Sequence, residues 1–451
     1  MDALRQKYAS DPKNNDRLKR MEEVKDLILG RSISNENGNA RRAAQAAMKL
    51  NFATSMGQAG MASIAEAGNI VAHMGLKNAM KHKPVFRSLW KDARGGQLDA
   101  QLTDELRGLF GTGMRTKLSR GRAGYDEFAA EIDVKMFDTI DRILDPAARG
   151  VSYAGGIGPI NDYLQTLATK SYLQKLANVA RGKAKCSDAD RARLRDAGWY
   201  DGVLDRALES IRQHATFDGK RMVSLGYDKW DPDILNDMIM ATDRMVYRAV
   251  QENDIGSSTW WMHSMLGRML TQFRSFIFNA WTKQTLHAMR FRDRQTFTAV
   301  AFTMTFGGLS YMARSYLNTS TGDPERRERA LSLKNIATAS MASSGYASIL
   351  PTVVDTGLVN IGEDAMFSQV RTTGLSTDAI TGSPIVQTIN NAQSTAFSPA
   401  RALRDDYEYS QQDFRKLTRL LPFNNILGVR NAIDLMAEEL PERSQEDDYW
   451  K

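Results

Sequence analysis

Residues Ser257–Leu317 read SSTWWMHSMLGRMLTQFRSFIFNAWTKQTLHAMRFRDRQTFTAVAFTMTFGGLSYMARSYL, and their reading decides the fold. Two patterns meet there. From Trp260 to about Arg290 the chain is aromatic-rich and basic, with apolar residues at Met262, Met265, Leu266, Met269, Leu270, Phe273, Phe276, Ile277, Ala280 and Trp281. These wrap more than half of a helical circumference, so the helix is expected to be buried on several sides, by its own fold or by copies of itself. Phe297–Ala313 then follows without a charge. The whole stretch carries seven cations (Arg268, Arg274, Lys283, Arg290, Arg292, Arg294, Arg314) and one acid, Asp293, against a net charge of +7 for the chain.

As a helix, Phe297–Leu317 would be about 30 Å long, enough to cross a hydrocarbon core. Arg290, Arg292 and Arg294 on one side and Arg314 on the other would then meet lipid head groups. Thr298, Thr303, Thr305, Ser310 and Gly307-Gly308 make the span marginal, so a buried helix is the preferred reading and a membrane span the alternative. Arg268, Arg274, Lys283, Arg290, Arg292 and Arg294 are candidate contacts for DNA phosphates, which attract cations whatever the base sequence. The competing reading pairs Arg268, Arg274 and Lys283 with acids elsewhere in the fold. Trp260, Trp261, Phe273, Phe276, Trp281, Phe297, Phe302, Phe306, Gly307 and Gly308 are candidates for membrane or oligomer packing.

Outward from this stretch the chain reads as an all-α, elongated assembly of long amphipathic helices. Asp11-Pro12 opens a helix whose stripe is Leu18, Met21, Val24 and Ile28, and residues 31–40 form a polar linker. Residues 50–65, between Lys49 and Glu66, are uncharged and dense in Ala, Gly, Ser and Met, as in a tightly packed helix pair or, alternatively, a membrane contact. Further helices are predicted at about 99–110, 125–144, 159–181, 187–197 and 201–216, with Ser187 and Asp190 as a capping box. The loop SYAGGIGPIN at 152–161 is Gly-rich and marks a hinge or boundary. Asp231-Pro232 opens a helix with Leu235, Met238, Ile239, Met245, Val246 and Ala249 inward. Residues 355–399 read as loops with short helices, and helices resume over SQQDFRKLTRLLP and from Pro422 to Leu440. The expected divisions are 1–40, 41–150, 151–256 and 257–451. No period-2 alternation and no fixed repeat is found.

The looked-for chemistry is missing. The five histidines (73, 82, 214, 263, 287) have no i, i+4 pair, and Cys186 is alone, so neither a metal nor a disulfide framework is expected. GLFGTGMRTKLS at 108–119 has Met114 where a phosphate loop needs Lys. Asp138, Asp141 and Asp145 share a helix face, read as solvated. His263 and His287 flank the basic helix and are placed to titrate near neutral pH or to cap or line the surface. No catalytic residue and no cofactor is predicted, and the reading is of a protein that is not an enzyme.

Three pieces, LNFATSMGQAGMASIAEAGNIV (50–71), DILNDMIMATDRMVYRAVQENDIGSSTWWMHSMLGRMLTQFRSFIFNAWTKQ (233–284) and RLLPFNNILGVRNAID (419–434), carry a resemblance. They resemble the C-terminal region of the large internal virion proteins of short-tailed bacteriophages, with LTQFRSF after the paired Trp the most telling phrase. The resemblance spans about 50 to 435. It implies an inner-core protein above the portal that leaves the particle at infection and helps form a conduit for double-stranded DNA through the host envelope. The implied partners are its own copies in a ring, other core proteins, the portal, DNA and the host inner membrane. Long members carry a muralytic domain upstream, of which no counterpart is recognised here. A pore-forming protein of the colicin kind, outside any virion, shares the marginal hydrophobic segments and is the alternative.

Overall fold

A computed structural model describes residues 17–23, 38–74, 138–250, 275–320, 324–367, 410–426 and 428–441, together with the single positions 102, 105, 106, 108, 109, 264, 267, 269 and 272. Among these residues the chain is all-α apart from one two-stranded sheet. Helices α1 (Gly38–Ser55) and α2 (Ala67–Met74) are separated by a short turn of α-helix, Ala59–Ala62, and a 3-10 turn, Ser63–Glu66. Then come α3 (Asp138–Ala154), α4 (Ile157–Ala180), α5 (Asp188–Asp196), α6 (Asp201–His214) and α7 (Pro232–Ala249). The main core joins Ile70 and Met74 to Leu102, Leu106, the whole inner length of α4, Trp199, Ile211 and the inner face of α7.

Local chemistry sets these ends. The Ser187 hydroxyl accepts from the Asp190 N–H at 3.1 Å while Asp190 accepts from the Ser187 N–H at 3.3 Å, so the predicted capping box is present. At α7 the Asp231 carboxylate accepts from the N–H of Asp233 at 2.9 Å, and Pro232 takes a first-turn position where no N–H is needed. Met238, Met245, Val246 and Ala249 are buried as predicted, while Leu235 and Ile239 pack at the core's edge. The glycine-rich stretch at 152–161 is mostly helical. α3 and α4 run through it and meet at Gly155-Gly156, where Gly156 has φ 80°.

Two expectations change. Asp145 does not belong to a solvated face: Lys49 Nζ lies 2.8 Å from its Oδ1, with both side chains largely buried. The segment after α6 holds a hairpin that the search for alternation missed. β1 (Thr216–Asp218) pairs antiparallel with β2 (Arg221–Ser224) across Gly219-Lys220, and Gly219 takes φ 59°. The Asp218-Gly219 pair is the signal for it, but three- and four-residue strands are too short to show a period.

The small-residue region packs as tightly as its composition suggests. A Cβ on Gly57 would lie 2.5 Å from the Asn425 carbonyl carbon, and one on Gly60 would lie 2.6 Å from the Gly155 oxygen. Backbone therefore meets backbone at both places, which only glycine permits.

The last described elements are α8 (Ser275–Ala280), a π-turn over Trp281–Thr285, α9 (Leu286–Phe291), α10 (Arg294–Asn318), α11 (Pro324–Ala330), α12 (Leu333–Ser343), α13 (Leu350–Asn360), α14 (Gln411–Thr418) and α15 (Val429–Glu438). α13 reaches into the stretch read as loops, with Pro351 in its first turn, where proline suits a helix start. Residues 419–426, expected to continue a helix on both sides of Pro422, form turns instead. Phe423 there has φ 69°, and its N–H donates to Ala53 O at 3.3 Å. The Asp11-Pro12 start, Val24, Ile28, most of 99–110 and all of 125–137 lie outside the described residues.

Candidate functional site

The basic helix and the apolar helix are two elements with a break between them. Arg292 takes φ 43°, and Asp293 caps α10 by accepting from the Thr296 N–H at 3.0 Å. The same carboxylate is clasped by Arg193 of α5. Arg193 Nη1 donates to Asp293 Oδ2 at 2.5 Å and Nη2 donates to Oδ1 at 2.6 Å, a two-pronged pair. The Arg193 guanidinium also covers the Phe291 ring at 4.6 Å. These hydrogen bonds from Arg193 hold the Asp293 carboxyl well below the usual carboxylate range, aided by the Thr296 N–H and hydroxyl.

A second charged knot lies beside the first. Asp196 Oδ1 accepts from Arg290 at 2.7 Å, and its Oδ2 lies 2.9 Å from Arg248 Nη1 and 3.4 Å from His287 Nε2. Lys175 Nζ donates to Asp190 at 2.8 Å and to the His73 carbonyl at 3.3 Å. The His73 ring lies between Gln295 Nε2 (3.2 Å from Nδ1) and the Tyr346 hydroxyl (3.4 Å from Nε2). Five helices from separate parts of the sequence are thus tied together around the start of α10. A cavity of about 40 Å³ opens here among Tyr172, Lys175, Cys186, Asp190, Arg193 and Gln295, which is room for a water or two and not for an organic ligand.

Both histidines are held neutral. Burial, reinforced by His287 and nearby cations, lowers His73 from 6.5 to about 3. Burial and Arg248 lower His287 to about 4, against the pull of Asp196. His287 therefore does not titrate near neutral pH, and with its side chain 15% exposed it is not the surface histidine expected from the sequence. Because both folded values lie below the unfolded one, their stabilisation is complete above about pH 6.5 and is lost as pH falls toward 4 and then 3. The urea midpoint is expected to fall steadily between pH 6.5 and about 4.5, by the equivalent of roughly 1 kcal/mol per pH unit for each histidine. A midpoint flat across that range would contradict the burial of both rings as neutral groups.

The predicted cations are divided by this arrangement. Arg290 is an Asp196 partner, although its side chain remains 68% exposed. Lys283, in the π-turn, stands 6.0 Å from the Tyr247 ring. Arg292 is exposed and donates to Met289 O at 2.9 Å, and Arg294 is exposed in the first turn of α10. Arg268, Arg274, Trp260, Trp261, Phe273 and His263 lie outside the described residues, as does the side chain of Phe276. Trp281, Phe302 and Phe306 are half-buried.

α10 has its polarity inverted. Its inner face is Ala299, Thr303, Gly307, Gly308, Ser310, Tyr311, Arg314 and Ser315. Gly68 of α2 meets the Phe302–Thr303 backbone, and Gly307 meets Ser343 of α12. Ser310 Oγ donates to Met61 O at 2.5 Å, and the Thr303 and Ser344 hydroxyls are 2.8 Å apart. Five large apolar side chains face outward, Phe297 at 69% exposure, Leu309 46%, Met312 40%, Tyr316 55% and Leu317 43%, while Phe306 packs against the main core. Ala301, Thr305 and Ala313 are exposed in the same helix. A solvated helix ordinarily does the reverse, and an exposed apolar stripe marks a contact surface. Among the described residues no helix is long and apolar enough to cross a membrane, and no group of His, Cys, Asp and Glu is placed to hold a metal ion.

Of the stripe residues the sequence singled out Phe297 alone for outward packing; Gly307 and Gly308, singled out with it, turn inward. Sequence reasoning missed Asp196, Arg193 and Asp293 as a junction, because their spacing in the sequence carries no local pattern. Comparison with protein-family models, with curated proteins and with solved structures gives no match.

Proposed function

We propose that the chain is a non-enzymatic inner-core virion protein of a short-tailed bacteriophage. It assembles as a ring of copies above the portal together with other core proteins. At infection it leaves the particle and helps form a conduit that passes double-stranded DNA across the host envelope, in contact with the inner membrane. The observation that carries this reading is the inverted polarity of α10. Its small hydroxyl-bearing face is used inside the chain, and its Phe297–Leu317 stripe is left for neighbours. A protein that meets other copies in a capsid and an apolar envelope later has a use for such a surface. The three sequence pieces that resemble internal virion proteins point the same way, and the lone Cys186 leaves the chain free to unfold and refold in transit.

Quantitative mass spectrometry of purified particles tests the assignment. The chain is expected at full copy number before DNA release and is expected to be gone from emptied particles. Its absence from intact particles would overturn the reading. The stripe has its own test in Leu309→Glu with Tyr316→Glu. Both positions are exposed, so stability is expected to stay within about 0.5 kcal/mol. Cross-linked oligomers from particles and the rate of genome delivery are both expected to fall. Unchanged oligomers and delivery would remove the stripe from the function.

A further inference from the structure

The last two described helices lie across the fold as a strap. α14 and α15 pack on each other, with the turns at 419–426 between them. Gln411 closes the unit, donating from its N–H to Pro441 O at 3.1 Å and from Nε2 to Leu440 O at 3.0 Å. The middle of the strap rests on α1 and α3. The Phe423 N–H donates to Ala53 O at 3.3 Å, and Asn425 Nδ2 donates to Ser55 O at 3.1 Å. The Phe423 ring fills the notch at Gly150, where a Cβ would lie 2.9 Å from the ring's Cζ. Beyond Gly428 the strap is tied to the end of α10. Asn431 Nδ2 donates to Leu317 O at 2.9 Å and to Ser320 Oγ at 3.2 Å, and Asp434 Oδ2 lies 3.9 Å from Arg326 Nη1 of α11.

This attachment differs in kind from the main core. Among the described residues of the strap, Ala437 is the only apolar side chain that is buried. Leu417, Leu421, Phe423, Val429, Leu435 and Met436 are 36% to 58% exposed. What the strap buries besides Ala437 is polar: Ser410, Asp413 and Thr418. In the main core, Leu164, Leu173 and Met238 are at 1% exposure or less. Apolar burial is the main force that holds an element to its fold, so an element that buries little opens at a lower free energy than the whole. The hydrogen bonds that remain are exchanged for bonds to water at a small net loss. Backbone geometry acts in the same direction. Phe423 has φ 69°, which a bulky side chain adopts only where its surroundings impose it, and opening lets it relax.

We infer that α14, the 419–426 turns and α15 form a releasable strap, which opens as one unit while the core of α2, α4 and α7 stays folded. Opening bares the footing at Ala53–Gly57, the notch at Gly150 and the last turn of α10. The inference concerns the free chain and does not rest on the virion reading. Gly57 is the lever. Its Cβ would lie 2.5 Å from Asn425 C, 2.6 Å from Ile426 N and 2.7 Å from Asn425 O, all of them strap backbone.

Hydrogen exchange of the full chain at neutral pH without denaturant, read by mass spectrometry, tests it. Peptides from α14, from 419–426 and from α15 are expected to share one protection level, about 100-fold or more below that of α4. Gly57→Ala is expected to lower the strap's protection by about a further tenfold and to leave α4 unchanged. Gly202→Ala, with nothing within 4 Å of its Cβ, is the control and should leave the strap as in the wild type. Asn425→Ala with Asn431→Ala removes two ties without a clash, and is expected to lower the strap's protection by about tenfold as well. It carries the test if circular dichroism shows that Gly57→Ala does not fold. Strap protection equal to that of α4, or different levels among the three pieces, would overturn the inference. So would equal losses in the strap and α4, or wild-type strap protection, in either folded variant.

Discussion

Replacing Asp293 by Ala is expected to lower stability by about 3 to 5 kcal/mol, because it leaves a buried guanidinium without its carboxylate. The Arg193 side chain is 4% exposed and holds Asp293 with both terminal nitrogens. After the substitution its remaining contacts are the Thr296 hydroxyl at 3.2 Å and the face of Phe291. Neither balances a charge. The same change removes the cap on the Thr296 N–H, worth about 1 kcal/mol at a helix start. Urea unfolding at neutral pH, with amide hydrogen exchange in the first turns of α10, measures both losses. Asp293→Asn separates them, since an amide still caps but carries no charge. Adding Arg193→Met to Asp293→Ala is expected to restore part of the stability by removing the stranded cation. A loss below about 1 kcal/mol for Asp293→Ala would mean that Arg193 reaches water and that the clasp is ornamental. Acid gives an independent check. Asp293 is held below its unfolded value, so its contribution is complete above about pH 4 and is lost as pH falls toward the folded value. Asp293→Asn should lack that portion of the acid-induced loss.

Gly68→Val is expected to cost about 3 kcal/mol or more, at the upper end for overpacking. A Cβ at Gly68 would lie 2.5 Å from Thr303 N and 2.6 Å from the Phe302 carbonyl carbon. These are backbone atoms, so no side-chain rotation relieves the clash, and α2 and α10 must part. Parting them also pulls on the Ser310–Met61 hydrogen bond along the same seam. Gly158 is the control. Nothing lies within 4 Å of its Cβ position and it is in the first turn of α4, so Gly158→Ala should be neutral or stabilising by up to about 1 kcal/mol. Thermal unfolding of the two variants decides the matter; similar midpoints would contradict the close approach.

What the sequence made legible was local. The Asp231-Pro232 start, the Ser187–Asp190 box and the dense small residues of 50–65 each act within a few positions, and each is where local chemistry places it. What escaped was set by distance or by direction. Arg193 and Asp293 are a hundred residues apart, so nothing near Asp293 announces that the run of arginines is cut there. The direction of α10 was hidden for another reason. Its apolar residues suggest a buried face, but Gly307, Gly308, Ser310 and Ser315 allow closer packing than Phe or Leu, and they won the inner side.

The seam of α2, α10 and α12 brings glycines, hydroxyls and backbone to close range, beside a small apolar cluster of Tyr311, Ala339 and Ile336. Cohesion of that kind comes from contact density and hydrogen bonds, not from withdrawing oily area from water. It does not fade when the surrounding medium becomes apolar, as a leucine-filled interface would. The part of the seam held by those close contacts therefore depends less on the solvent beyond Phe297, Leu309 and Tyr316 than a leucine-filled interface would.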